Sequence, residues 1–447
     1  MKRDLTTGSV PGNLLYFSIP YLISCFLQTF YGLADLFVIG QFNAAASTTG
    51  VSVGSQLTHM LTLIVAGLAM GATVLIGNSV GAKNTRETSK VIGNSTILFI
   101  IFAVIATAVL IFLVDPILNL LSTPQEAMSE AHNYVTVCFA GIPFITAYNV
   151  ISSIFRGLGD TKSPLIFVAI AGVFNVILDY ILIGPFSMGA AGAAVATITA
   201  QAVSVIVSLI FLLKSSYGIR LSGADLKPDK LILKKILAIG VPVACQDGLI
   251  QVAFLVITAI ANSRGLEISA AVGIVEKVIT FLFLVPSAML ASVSAICAQN
   301  SGAGRNDRSI STLRYALLFC VVYGTVVFII CELVPGPVVS CFTSEADVIA
   351  YGIQYLRGYA ADVIIAGIHF CFAGFFCAYG KSLYSFIQNI VAVVFVRIPG
   401  AYLASLLFPE TLFPMGLAVP LGSLLSAIIA VLLYRHMKKK NPVLFKA

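Results

Sequence analysis

Apolar residues run along this chain in blocks of about 20, the length that crosses a hydrocarbon core of about 30 Å as a helix. Read block by block, the first half predicts spans at 14–38, 53–77, 92–114, 133–155, 164–184 and 190–213. The second half predicts 235–261, 268–297, 315–335, 348–378, 384–406 and 414–434. Gly67 and Gly71 are expected to interrupt the second span, and Pro20, Pro143, Pro242 and Pro286 fall inside others. Such kinks are tolerated in membrane helices because neighbouring groups can re-satisfy the freed carbonyls.

The pattern repeats at a shift of about 221 residues: Ile19-Pro20 returns as Val241-Pro242, and Gly81-Ala82-Lys83 as Gly302-Ala303-Gly304. Phe155-Arg-Gly-Leu-Gly159 returns as Phe376-Cys-Ala-Tyr-Gly380. Six spans per half give both halves the same orientation. The expected fold is therefore an all-α integral membrane protein of twelve transmembrane helices. Its two six-helix lobes would be related by a pseudo-two-fold axis along the membrane normal, as in parallel-repeat transporters. The expected division is an N-terminal lobe at 1–213, a basic linker at 214–234 with Gly218, Gly223 and Pro228, and a C-terminal lobe at 235–447.

Composition agrees with this class. Of 447 residues, 59% are hydrophobic and 10% charged, against about 25% charged in a soluble domain. A soluble enzyme, a nucleic-acid-binding protein and a disordered scaffold are thereby excluded. The net charge of +7 is placed by topology. One set of gaps holds Lys2, Arg3, Lys83, Arg86, Lys90, Arg156, Lys162, the cluster from Lys214 through Arg220 to Lys235, Arg305, Arg308, Arg314, Lys381 and the tail from Arg435 to Lys446. The opposite gaps hold Arg264 alone. By the positive-inside rule both termini are expected in the cytoplasm of a multi-pass cell-membrane protein. The leading Met-Lys-Arg-Asp enters the first span with no small-residue cleavage site, which reads as a retained anchor. Nine Cys, an odd number with no CxxC spacing, read as packed thiols.

An ionisable group at mid-membrane is costly and needs a reason. Gln28, Tyr31 and Asp35 share one face of the first span, and Asn175 and Asp179 one face of the fifth. Asp35 and Asp179 both fall in the outer half of the membrane, with Thr197 of the sixth span at similar depth; Asn149 of the fourth lies nearer the cytoplasm. Such carboxylates could bind a proton, hold Na⁺ among hard oxygen ligands, meet a cationic substrate, or only hydrogen-bond a kinked neighbour. In the second half, Asp247 and Gln251 share a face of the seventh span, Glu276 and Lys277 form a self-neutralising pair, Arg357 snorkels, and Arg397 pairs with an acid across the cleft. The span residues His59 and His369 read as structural. Gly50-Val-Ser52-Val-Gly54 matches a nucleophile-elbow pattern but sits between spans rather than at a strand-to-helix turn, and no P-loop or dinucleotide fingerprint occurs.

The motifs together resemble the multidrug and toxic compound extrusion (MATE) family over essentially the whole chain. Gln28 to Asp35, Gly81-Ala82-Lys83, Gln299 to Ala303, Phe155 to Asp160, and Asn175 to Asp179 carry the likeness, which is closest to the branch named after DinF. The resemblance implies a cation-binding pocket in the N-terminal lobe with Asp35 and Asp179 as its ionisable pair, supported by Gln28, Tyr31, Asn149, Asn175 and Thr197. Substrate contacts are expected at Gln28, Tyr31, Gln251 and Asp247. Gln251 and Ala366 stand where the NorM-like pattern has acids, and Asp362 lies one turn away; H⁺ and Na⁺ both stay open as the coupling ion. The expected function is a secondary antiporter, not an enzyme, exporting amphiphilic and often cationic compounds as a monomer, with no cofactor and no nucleic-acid partner. The alternative is a flippase for a lipid-linked saccharide, which would want a cationic cavity built on residues such as Lys277, Arg357 and Arg397.

Overall fold

The computed structural model describes residues 4–42, 45–214 and 222–442. Lys2, Arg3, Gly218, Arg220 and Lys446 lie outside the described residues, as does the side chain of Tyr31. The first half forms α1 (Val10–Phe42), α2 (Ala45–Gly81), α3 (Thr85–Phe112), α4 (Val114–Leu120), α5 (Gln125–Ala140), α6 (Ile142–Gly157), α7 (Lys162–Ile183) and α8 (Gly189–Lys214). The second forms α9 (Lys230–Asn262), α10 (Leu266–Leu282), α11 (Leu284–Gly302), α12 (Asn306–Leu333), α13 (Pro335–Ser340), α14 (Ala346–Ala360), α15 (Asp362–Ala378) and α16 (Ser382–Ala392). A π-helical turn at Val393–Arg397, then α17 (Ile398–Leu407) and α18 (Phe413–Lys440), complete it.

Among the described residues, 11 helical segments are long and apolar enough to cross a membrane, α10 with α11 and α14 with α15 each counting as one. The pair α5 and α6, bent by 49°, makes a twelfth. The protein is an all-helical membrane protein. Large side chains left exposed on its helices, among them Phe112, Leu213 and Leu266, suit hydrocarbon rather than water.

Several local expectations change. Gly67 and Gly71 do not interrupt α2, which is continuous. Gly71 instead admits another backbone, since a Cβ there would collide with the carbonyl of Ile236 on α9. The bend of the fourth span falls at Gly141, with Pro143 in the first turn of α6, where its missing N–H costs no helical bond. Gly50 to Gly54 lies inside α2, not between spans. It is a small-residue packing pair of the kind that brings membrane helices together: a Cβ on Gly50 would strike Glu130 and Ala131, and one on Gly54 the Tyr134 ring of α5.

The repeated motifs are helix stops. After α2, Lys83 turns left-handed (φ 56°), and after α11 Gly304 does the same (φ 72°). The following amides close the turn in the same way, Asn84 N to Ser79 O at 3.0 Å and Arg305 N to Asn300 O at 2.8 Å. Gly159 and Gly380 likewise take φ of 87° and 66°, and the next amides return to Phe155 O at 2.9 Å and Phe376 O at 2.8 Å. Both pairs are Schellman-type ends, which satisfy carbonyls the helix leaves open.

The chain divides into two compact units. One holds Ile19–Gly240; the other holds Leu5–Ser18 with Val241–Ala447. Relative to a division at 1–213, 214–234 and 235–447, two segments change sides: the start of α1 belongs with the second unit, and the start of α9 with the first. In the first unit, Asn94 of α3 fastens the residues before α9, accepting from Asp229 N at 2.6 Å and donating to Lys227 O at 3.3 Å. Beside them the Asp225 carboxylate is held below its usual range by the Ser222 amide and hydroxyl. In the second unit, the early carbonyls receive cationic and amide donors. Arg305 reaches Thr6 O (3.1 Å), Arg308 reaches Gly8 O (2.8 Å), and Asn300 reaches Leu5 O (3.3 Å). That unit is also sealed by glycine contacts, for a Cβ on Gly416 of α18 would lie 2.5 Å from Tyr355 O and 3.2 Å from Gly358 Cα of α14.

Candidate cation-coupling site

Three helices of the first unit bring polar groups together. Asp35 on α1 is 2% exposed, and Asn175 and Asp179 on α7 are 1% and 0% exposed. The spacing of four between Asn175 and Asp179 puts both on the inner face of α7. The Thr197 hydroxyl of α8 donates to Asp35 Oδ2 at 3.0 Å and accepts from Asn175 Nδ2 at 3.4 Å. Asp35 and Asp179 are electrostatic neighbours in this cluster.

The cluster is rich in acceptors. Asp35 Oδ1, both Asp179 carboxyl oxygens and Asn175 Oδ1 are buried with no protein donor. Two carboxylates buried side by side cannot both stay ionised cheaply unless something positive joins them. A shared proton would do so, and so would a hard cation taking oxygen ligands. Tyr134 and Cys138 of α5 are buried in one cluster with Val38 and Ile39 of α1 and Ile183 of α7. Neither residue stands out in the sequence; the glycine pair on α2, which seats α5, is the signal that points to this helix.

The other candidates are placed differently. Asn149 is buried on α6, and its Nδ2 donates to Ile145 O of its own helix at 2.9 Å. Gln28 is partly buried on α1 and lies against the Tyr148 hydroxyl. Asp247 and Gln251 are partly buried on α9, in the second unit. Glu276 does not neutralise Lys277: Lys277 is exposed, while Glu276 accepts from Thr258 at 3.1 Å. Adjacent residues on a helix diverge by about 100°, so they do not face each other. Arg357 turns to Glu332, 3.6 Å away. Arg397 pairs with Asp362 at 3.4 Å inside the second unit, with side chains 11% and 0% exposed.

At the N-terminus of α8, Glu130 of α5 accepts from Ala190 N at 2.9 Å. A carboxylate there satisfies an open amide and suits the positive end of the helix.

The sequence matches the MatE family twice, over residues 20–181 and 242–403. The chain belongs to the MATE family of multidrug efflux transporters. The MATE double match restates the internal repeat, and it marks the chain as a transporter rather than an enzyme. The probable multidrug resistance protein YpnP of Bacillus subtilis (strain 168) is 28% identical, covering 99% of this chain and 98% of its own. The FAD transporter of Shewanella oneidensis is 26% identical, covering 96% and 95%. Among solved structures, a MATE protein in complex with MaL6 superposes with a TM-score of 0.91 at 22% identity, covering 98% of both chains. At that identity the likeness speaks for the fold.

Proposed function

We propose that this MATE transporter exports amphiphilic, often cationic compounds by alternating access, in exchange for H⁺ or Na⁺ bound at Asp35 and Asp179. The carrying observation is the buried acceptor cluster, in which Asp35, Asp179 and Asn175 leave four oxygens without a protein donor. Thr197 and Asn175 orient the pair; Gln28 and Tyr31 on the same helix, and Asp247 and Gln251 in the second unit, are the substrate contacts of this reading. A cation-binding pair in the first unit would also fit a place in the DinF-like branch. The basic residues concentrated in one set of gaps, with Arg264 alone opposite, support a topology with both termini in the cytoplasm, and this reading takes the chain as a monomer.

The relative named for multidrug resistance supports export of varied amphiphiles, and the one named for FAD extends the range to large planar aromatics. Coupling requires that the ion and the substrate favour different conformations, since a ligand with equal affinity for both shifts nothing. Exchange of one H⁺ for one monovalent cation is electroneutral. Each pH unit then supports a drug gradient of about tenfold.

The test uses proteoliposomes and a fluorescent cationic drug under an imposed pH gradient, then an imposed Na⁺ gradient. Drug movement driven by one gradient and lost in Asp179→Asn is expected. Undiminished coupled movement in that variant would refute the site. Failure of several cationic drugs to respond to either gradient would overturn the antiport reading in favour of the lipid-linked saccharide flippase.

A further inference from the structure

Two helices expose polar groups where a lipid-facing helix would expose apolar ones. On α3, Ile100, Ile101, Val104 and Ile105 are each more than half exposed, as hydrocarbon contact requires. On α2 the exposed residues are instead Ser52, Gln56 and His59, whose spacings of four and three place them on one face. Past the first turn of α10 they are Ala270, Lys277 and Thr280, spaced by seven and three on one face again. Among the described residues, no large apolar side chain is exposed on α2, and none on α10 or α11 beyond Leu266.

The shift that relates the two halves carries Gln56 onto Lys277 and His59 onto Thr280. Gln56 and Lys277 each stand eleven residues beyond the first of their helix, about 16 Å along the axis, near the middle of a hydrocarbon core of about 30 Å. Polar groups at that depth front water rather than lipid. Lys277 is the charge on these two faces, and no acid answers it. Its neighbour Glu276 accepts from Thr258, and no ion pair of Lys277 occurs among the described residues. Thr280 spends its hydroxyl proton on Glu276 O at 2.9 Å, which leaves the ammonium as the donor of this face. The opposite face of α10 is committed to the core of the second unit through Val272, Val275 and Ile279, so Lys277 stays on the open side. An ammonium on a four-carbon stem is a compact point charge with three donors, suited to an anionic group that arrives from water.

We propose that Lys277 is a specificity residue of the second unit, binding the carboxylate or phosphate of an amphiphilic substrate. The proposal rests on the export reading above and extends its substrates from cations to amphiphiles that carry an anionic group. It is read as equilibrium binding, which needs neither a gradient nor a coupling ion, so its failure is distinct from failure of the site at Asp35 and Asp179.

The test compares two dyes with one ring system: rhodamine B, a zwitterion with a free carboxylate, and rhodamine B ethyl ester, a cation. Binding to the full chain in detergent micelles is followed by fluorescence anisotropy. Lys277→Gln changes an exposed side chain, so its melting temperature should stay near the parent's. It should weaken rhodamine B binding by about tenfold or more, the scale of a charge-assisted hydrogen bond, and leave ester binding almost unchanged. Lys277→Arg should keep the parent's preference, Lys277→Glu should shift it towards the ester, and Asp179→Asn should bind rhodamine B as the parent does. No saturable rhodamine B binding by the parent, equal losses of both dyes in Lys277→Gln, or undiminished rhodamine B binding in that variant would each overturn the proposal.

Discussion

The Arg397–Asp362 pair lends itself to a quantitative test. At 3.4 Å, Coulomb's law with an effective dielectric of about 20 gives an attraction of about 5 kcal/mol. Both charges pay desolvation, so the pair's net worth against an uncharged replacement is near zero, while deleting one partner strands the other and costs about 3–5 kcal/mol. For a unit of this size, about 2–4 °C of melting temperature accompanies each kcal/mol. Arg397→Gln and Asp362→Asn should therefore each lower the melting temperature by about 6–20 °C, measured by thermal scanning in detergent. The double variant should return to within a few degrees of the parent. Single-variant losses that simply add in the double variant would refute the reasoning, because they would show that the two charges do not stabilise one another.

Thr197→Val keeps the shape but removes the hydroxyl that links Asp35 to Asn175. A lost hydrogen bond to a charged group is worth about 1.5–3 kcal/mol, so the ion concentration for half-maximal drug exchange should change at least tenfold, with folding retained. Glu130→Ala removes the contact at the start of α8 and should cost about 1 kcal/mol, seen as a fall of a few degrees in melting temperature. Gly416→Ala pushes α18 off the backbone of α14 and should cost about 1–3 kcal/mol, with unchanged melting excluding that close approach. Asn94→Ala frees the segment before α9 and should raise hydrogen exchange at Asp229, the amide it accepts from.

The parts legible in the sequence were those encoded locally. The helix stops at Lys83, Gly304, Gly159 and Gly380 show as repeated short motifs because each needs a left-handed residue at a fixed offset. The face shared by Asn175 and Asp179 follows from a spacing of four, and the contact of Thr197 with Asp35 agrees with the depth at which both were placed. What could not be read depends on how one helix meets another. Arg397 and Asp362 lie on different helices, and the π-helical turn shifts Arg397 away from the position that 3.6-residue counting gives it. Glu276 took a partner on α9 rather than its neighbour Lys277, and Asn149 spent its amide on its own helix. The Gly50–Gly54 pattern suggested an enzyme motif, when its small residues serve the approach of α5.

The segment Leu5–Ser18 has a bearing on biosynthesis. Three of the residues that fasten its carbonyls, Asn300, Arg305 and Arg308, are made almost 300 residues after it. Synthesis therefore passes through all the first-half helices before these donors exist, and Leu5–Ser18 joins the second unit only once α11 and the turn after it are made. A nascent chain halted before α11 would hold the first-half helices with Leu5–Ser18 still lacking these donors. Docking of that segment would then report that synthesis has passed α11 and the start of α12.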